Sequence, residues 1–176
     1  VTGTPGIVLV RVDNRLVHGQ VLEAWVPALA VQAILVADDE VAGNPLARAA
    51  MGLAMPRKVV FRVAPLAEVV AMLRPGGAGA PAGRTLLLVR DVRAAVALQE
   101  GGVALAHLNL GNVHFSAGRE QVTPTVYLDG AEIEALRRLA ASGIEIEGRA
   151  VPAEAAIPFA TIAGRFRGGG AAPARK

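Results

Sequence analysis

Short runs of valine, isoleucine and leucine recur along this chain, and segments with helical spacing separate most of them. Strand candidates span residues 7–12, 33–37, 58–62, 85–89, 105–110, 124–128 and 144–150. Several are nearly continuous in apolar residues, the pattern of strands buried on both faces. Helix candidates lie at residues 19–30, 45–54, 65–73, 92–100 and 130–142. The last has the fullest signature: Asp129 as N-cap, Glu132 three residues on, an apolar face of Ile133, Leu136, Leu139 and Ala140, and Gly143 as terminator. Asp91 is a similar cap for the helix that ends before Gly101-Gly102. This alternation predicts a single-domain α/β fold, a mostly parallel open sheet of about seven strands with helices on both faces.

A length of 176 residues fits one domain that needs no covalent staples. Residues 1–6 read as a flexible leader, 7–158 as the domain and 159–176 as a flexible basic tail. In that tail Arg165, Arg167, Arg175 and Lys176 lie among glycine, alanine and proline. The stretch from Pro75 to Gly83 reads as a loop within the sheet, not a domain linker. The chain has no cysteine, which excludes disulfides, thiolate metal sites and cysteine nucleophiles and suits a cytoplasmic location. No apolar run approaches the roughly 18–20 residues that span a bilayer, and residues 1–6 lack the regions of a signal peptide. The net charge of +3 is mild. Few aromatics and no basic stripe on a predicted element argue against nucleic acid as a partner.

Chemistry concentrates just past the first strand, in Arg11-Val12-Asp13-Asn14-Arg15-Leu16-Val17-His18-Gly19-Gln20. In an open parallel sheet ligands bind at that end of the strands. A neutral imidazole is nucleophilic near physiological pH, and phosphoryl transfer asks the protein chiefly for positioning and charge compensation. His18 is therefore the candidate phosphoryl carrier. Arg15, three residues before it, is the first candidate to stabilise the phosphoryl oxygens, and Arg11 the second. Asp13 would repel phosphate, so it orients an arginine or holds the loop. Arg11, Asn14 and Gly19 are assigned to phosphate binding or loop support, Gly19 because it admits close approach at a helix start.

Other candidates are weaker. Asp38, in Asp38-Asp39-Glu40, reads first as a cap and second as a cleft wall. His114, on a loop after another strand, could line the same cleft, although a loop or surface role is favoured. His107 sits in an apolar run and reads as a strand residue. Trp25 is either a packing residue or part of a docking face. The three histidines lack the close spacing of zinc ligands, so no metal is expected. There is no Gly-x-x-x-x-Gly-Lys-(Ser/Thr) loop, and Gly77-x-Gly79 follows a helix and a proline instead of a strand.

Arg11-x-Asp13-x-Arg15-Leu16-Val17-His18-Gly19-Gln20-Val21, with Trp25 after it, resembles the phosphorylation loop of IIB subunits of the mannose/fructose/sorbose family of the bacterial sugar phosphotransferase system. The resemblance continues through Val36–Val41, Leu108–Asn112, Leu139–Ile146 and Arg149–Pro152, covering about residues 7–158. It implies a phosphocarrier whose histidine takes a phosphoryl group, usually on Nδ1, from the phosphohistidine of a IIA partner. The group then passes to a sugar crossing the membrane through IIC and IID partners. It implies a cytoplasmic or peripheral location and no cofactor; a homo-oligomer is left open. A regulatory phosphoacceptor of the same relay is the alternative, and a module that binds a phosphorylated metabolite is a third reading.

Overall fold

A computed structural model of the chain describes residues 3–168. Nine strands follow in chain order: β1 (Ile7–Asp13), β2 (Ala33–Ala37), β3 (Val60–Ala64), β4 (Thr85–Val89), β5 (His107–Asn112), β6 (Glu120–Thr123), β7 (Val126–Leu128), β8 (Glu145–Gly148) and β9 (Ile157–Pro158). Between them lie a π-helical segment (Val21–Trp25) that runs into α1 (Val26–Ala28), then α2 (Asp39–Ala42), α3 (Pro45–Leu53), α4 (Leu66–Leu73), α5 (Val92–Glu100), α6 (Gly130–Ala141) and α7 (Phe159–Arg165). Seven strands form one sheet in the order β3-β2-β4-β1-β5-β8-β9. All its neighbours pair in parallel except β8 with β9. The expected α/β class, with a mostly parallel sheet covered on both faces, is what the chain adopts.

Strand alternation builds two cores. On one face Val10, Val12, Leu87, Leu108 and Leu110 pack with Val69, Leu98, Leu136 and Ile162 from the helices. On the other, Leu9, Ile34, Val36 and Leu88 pack with Leu16, Val21, Trp25 and Val41. The predicted caps are present. The Asp129 carboxylate accepts from the Glu132 amide at 2.8 Å and Glu132 accepts from the Asp129 amide at 3.0 Å, a closed capping box. Asp91 accepts from the Ala94 amide at 2.9 Å.

Four departures from the sequence reading have physical reasons. Residues 124–128 do not join the main sheet. β7 pairs antiparallel with β6 as a hairpin around Pro124, and an isolated Val113–Val126 bridge links it to the chain just past the end of β5. The seventh strand is instead β9, two residues long and too short to carry any periodicity. The helix expected over 19–30 opens as a π-helical turn, which swings Trp25 inward. Residues 3–6 and 159–165, expected in the leader and the tail, belong to the fold. The Thr4 amide donates to Ala104 and the Thr85 amide to Gly6, so residues 3–6 are stitched to the sheet.

The expected tail likewise begins too early. α7 spans Phe159–Arg165, Ile162 is fully buried, and a side chain at Gly148 would collide with it. Residues 169–176 of that tail lie outside the described residues. Ile162→Ala should therefore cost about 2–5 kcal/mol in urea unfolding. An unchanged midpoint would return α7 to the tail. Among the described residues no helix is long and apolar enough to cross a membrane.

Candidate functional site

The strand period that buries Val10 and Val12 on one face sends Arg11 and Asp13 to the other, at the C-terminal end of the central strand. Both side chains are fully buried. A buried cation and anion so close must be paired and further hydrogen-bonded. The Arg11 guanidinium donates to Asp13 at 2.8 Å, to the Asn109 side-chain oxygen at 2.6 Å and to the Arg149 carbonyl at 3.3 Å. It also stands 5.2 Å from the Trp25 ring centre, and the Arg149 guanidinium stands 5.4 Å from the same ring. Such cation–π contacts strengthen on desolvation. The Trp25 indole N–H donates to the Ala150 carbonyl at 2.9 Å, which ties the π-helical turn to the segment after β8. Asn109 in turn donates to Glu147 at 2.7 Å.

Past Asp13 the chain turns sharply. The Leu16 amide donates to the Asp13 carbonyl at 2.9 Å, and Leu16 takes a left-handed conformation with φ of 55°. That costs a non-glycine residue on the order of 1–3 kcal/mol. The Leu16 side chain is buried in the core beside Val21 and Trp25, which offsets the strain. The turn folds Arg15 and His18 back over Asp13. Its carboxylate accepts from the Arg15 amide at 3.1 Å, from Arg15 Nε at 3.2 Å and from His18 Nε2 at 2.9 Å. Arg15 also reaches the Gln20 side chain at 3.0 Å and is about two-fifths exposed, whereas the His18 side chain is mostly covered. Among the described residues His18 Nδ1 has no hydrogen-bond partner.

Burial alone would raise the Asp13 pKa. The hydrogen bond from His18 and the Arg11 and Arg15 cations outweigh it and hold the carboxyl far below the usual carboxylate range. Burial lowers the Arg11 pKa against the pull of Asp13, yet a guanidinium stays charged in proteins. A carboxyl depressed in the folded state stabilises it fully above its unfolded pKa of about 3.9, and that stability is lost as pH falls toward the folded value. The unfolding free-energy difference between wild type and Asp13→Asn should therefore be flat from about pH 7 to about pH 5 and shrink below about pH 4. A difference that grows with acid would contradict this electrostatic account.

Around this cluster the loop is anchored sideways. The Asn14 side chain donates to the Arg90 carbonyl at 3.0 Å and accepts from the His114 amide, spanning the ends of β4 and β5. The first helical bonds are donated by Val21 and Leu22 to the His18 carbonyl. The amides of Gly19 and Gln20 precede them at the helix start. A side chain at Gly19 would meet only Glu23, at 4.0 Å, so the chain's own packing does not require glycine there.

Arg11, Arg15 and His18 thus converge on the Asp13 carboxylate, with Asn14 beside them. Asp38 stands apart. It caps α2 through the Val41 amide at 2.8 Å and binds Arg90 through both oxygens, at 2.6 and 2.9 Å. It lines a cavity of about 360 Å³ with Leu66, Asp91 and Ala94 that His18 does not border. Arg90 connects the two places, with its carbonyl on Asn14 and its guanidinium on Asp38. His114 touches the loop through its backbone, and its side chain is exposed. His107 opens β5, exposed, and pairs with Glu145 at 3.0 Å. Among the described residues no three metal-ligating side chains cluster.

Sequence reasoning missed Asn109, Gly111, Glu147 and Arg149 as parts of the site. Only Asn109 carried a partial local signal, a polar residue between Leu108 and Leu110 in a strand, since buried polar groups need partners, and nothing local names Arg11 as that partner.

Comparisons with known proteins identify the family and the fold. The family model described as "PTS system sorbose subfamily IIB component" matches residues 7–167. The chain is 33% identical over 153 residues to the N-acetylgalactosamine-specific phosphotransferase enzyme IIB component 2 of Escherichia coli, covering 87% of this chain and 96% of that one. It is 29% identical over 157 residues to the fructose-specific EIIB component of Bacillus subtilis, covering 89% and 94%. The solved IIBSor domain of the sorbose permease from Klebsiella pneumoniae superposes with a TM-score of 0.78 at 28% identity, covering 89% of this chain and 95% of that domain. A match through every strand of the sheet, the His18 loop and α7 means that the chain belongs to the sorbose subfamily of IIB components of the phosphotransferase system.

Proposed function

We propose that His18 Nδ1 accepts a phosphoryl group from the phosphohistidine of a IIA partner and passes it to a sugar entering through IIC and IID partners. The observation that carries this reading is the 2.9 Å bond between His18 Nε2 and the Asp13 carboxylate. An anionic acceptor at Nε2 keeps the proton on that nitrogen. The lone pair of the neutral ring then lies on Nδ1, the nitrogen with no partner.

In the transfer step the Nδ1–phosphorus bond forms as the donor's nitrogen–phosphorus bond breaks. The donor ring leaves neutral. The His18 ring keeps its Nε2 proton and takes on imidazolium charge, which Asp13 stabilises from 2.9 Å. Arg15, partly exposed, would exchange its bonds to Asp13 and Gln20 for the phosphoryl oxygens. Arg11 is too deeply enclosed for that role and serves to fix Asp13. Glycine at position 19 and the first helical amides leave room and donors for the phosphoryl group. In the onward step the Nδ1–phosphorus bond breaks as a phosphorus–oxygen bond to a sugar hydroxyl forms, the His18 ring returns to neutral with its Nε2 proton in place, and the hydroxyl proton is lost to water.

The test is a reconstituted relay of phosphoenolpyruvate, the general phosphotransfer proteins and a mannose-type IIA, read by phosphorus NMR. The expected product is an acid-labile phosphohistidine with the Nδ1 chemical shift. An Nε2 signal would overturn the tautomer argument. No signal, with the IIA shown to be competent, would overturn the carrier reading.

A further inference from the structure

α3 follows Asn44, which caps it, yet it contributes no buried residue. Ala47 and Met51, with Met55 beyond its end, lean partly buried on the core around Trp25. The opposite side carries Leu46, Ala49, Ala50 and Leu53 at i, i+3, i+4 and i+7, all exposed. Leu46 is 80% exposed and Leu53 89%, and Val60 at the start of β3 is 59% exposed. A helix that is apolar on two sides normally has a partner on both.

Charge says what kind of partner fits. From Val41 to Ala67 there is no aspartate or glutamate, while Arg48, Arg57, Lys58 and Arg62 all fall within that stretch. Arg62 pairs with Glu68 at 2.8 Å, just beyond it. Among the described residues Arg57 and Lys58 have no ion-pair partner. Arg48 and Arg62 line a groove of about 610 Å³ between α3 and β3, together with Phe61, Val63 and Glu68. A second copy fits this face poorly, because a two-fold contact would set the same cations against one another. Exposed leucines framed by cations suit an anionic lipid surface.

We propose that α3, the following turn and β3 form a docking face for anionic phospholipid, with Leu46 and Leu53 entering the headgroup boundary and Arg48, Arg57 and Lys58 meeting phosphates. The face lies at the β3 edge of the sheet, with β2 and β4 between β3 and the β1 strand that carries the His18 loop. The proposal is independent of the chemistry at His18.

The full chain is sedimented with phosphatidylcholine vesicles with and without phosphatidylglycerol. Wild type should bind only the phosphatidylglycerol vesicles and release with salt. Arg57→Gln with Lys58→Gln should weaken binding roughly fivefold per charge removed, and Leu46→Ser with Leu53→Ser at least about tenfold. Both variants should keep wild-type circular dichroism, since the four side chains are exposed. Arg175→Gln with Lys176→Gln, at the chain's end, should bind as wild type does. No preference for phosphatidylglycerol would overturn the proposal, as would binding lost in the terminal variant and kept in the α3 variants. A wild-type dimer in sedimentation equilibrium that Leu53→Ser dissolves, with no vesicle binding, would assign the face to a second copy instead.

Discussion

His18→Asn should reduce phosphoryl acceptance from a competent IIA by at least about a thousandfold while leaving the fold in place. Removing a nucleophile outright costs this much or more, because no neighbouring group can form the same bond. Asn has a similar reach to Asp13 but no nucleophilic ring nitrogen. The structural loss is one hydrogen bond at a mostly covered side chain. Asp13 retains Arg11 at 2.8 Å and its three contacts from Arg15, so it is not left as a buried unpaired charge. Unfolding free energy should therefore fall by only about 1–2 kcal/mol. Label transfer from phosphoenolpyruvate, quantified alongside urea unfolding, reads both quantities on the same preparations. The phosphorylated-metabolite module predicts tight phosphate binding that survives His18→Asn and is lost in Arg15→Ala. Acid-labile label persisting on the variant would point to another histidine, and the exposed His114 beside Asn14 would be the first to replace.

The legible parts of this molecule are those whose signal is local. Leu86 to Val89 could hardly be other than a buried strand, and Asp129 with Glu132 announced a helix start that the structure closes as a capping box. The His18 loop was legible for a related reason, since its charged residues sit within a few positions of one another after an apolar run. What escaped depends on contacts between distant segments. Asn109 and Arg149 meet Arg11 across 98 and 138 residues of chain, and no spacing rule reaches that far. β9 is stabilised by pairing with β8, and α7 by burying Ile162 over Gly148, neither of which is a property of its own few residues. The Gly-, Ala- and Arg-rich composition after Phe159 reads as solvated chain, and tertiary packing overrides that weak local preference. The π-helical turn shows the same limit. Trp25, at its end, donates to the Ala150 carbonyl, a contact between two segments that only the folded sheet brings together.

The same long-range packing makes Gly111, two residues beyond Asn109 on β5, the most demanding position in the site after His18. A Cβ built there would fall on the Arg11 guanidinium, well inside the 3.0 Å that real Cβ atoms keep from their neighbours. The guanidinium cannot step aside. Asp13, Asn109 and the Arg149 carbonyl hold its edges, and the Trp25 ring stands 5.2 Å away. Gly111→Ala must displace Arg11 or bend β5, and losing half of a buried ion pair costs about 3–5 kcal/mol. For a chain of this size that lowers the unfolding midpoint on the order of 10 °C. Phosphoryl acceptance should fall as well, because an Asp13 released from Arg11 no longer fixes the His18 tautomer. The steric cause is separable from a general loss of packing. Arg11→Met should be destabilising alone, and Gly111→Ala should add little to it, because the flexible, narrower Met side chain leaves room for the methyl group. Thermal unfolding of the two single variants and the double variant measures the coupling directly. Additive losses would mean that Gly111 serves the strand in some other way and that the Arg11 cradle is not what requires glycine.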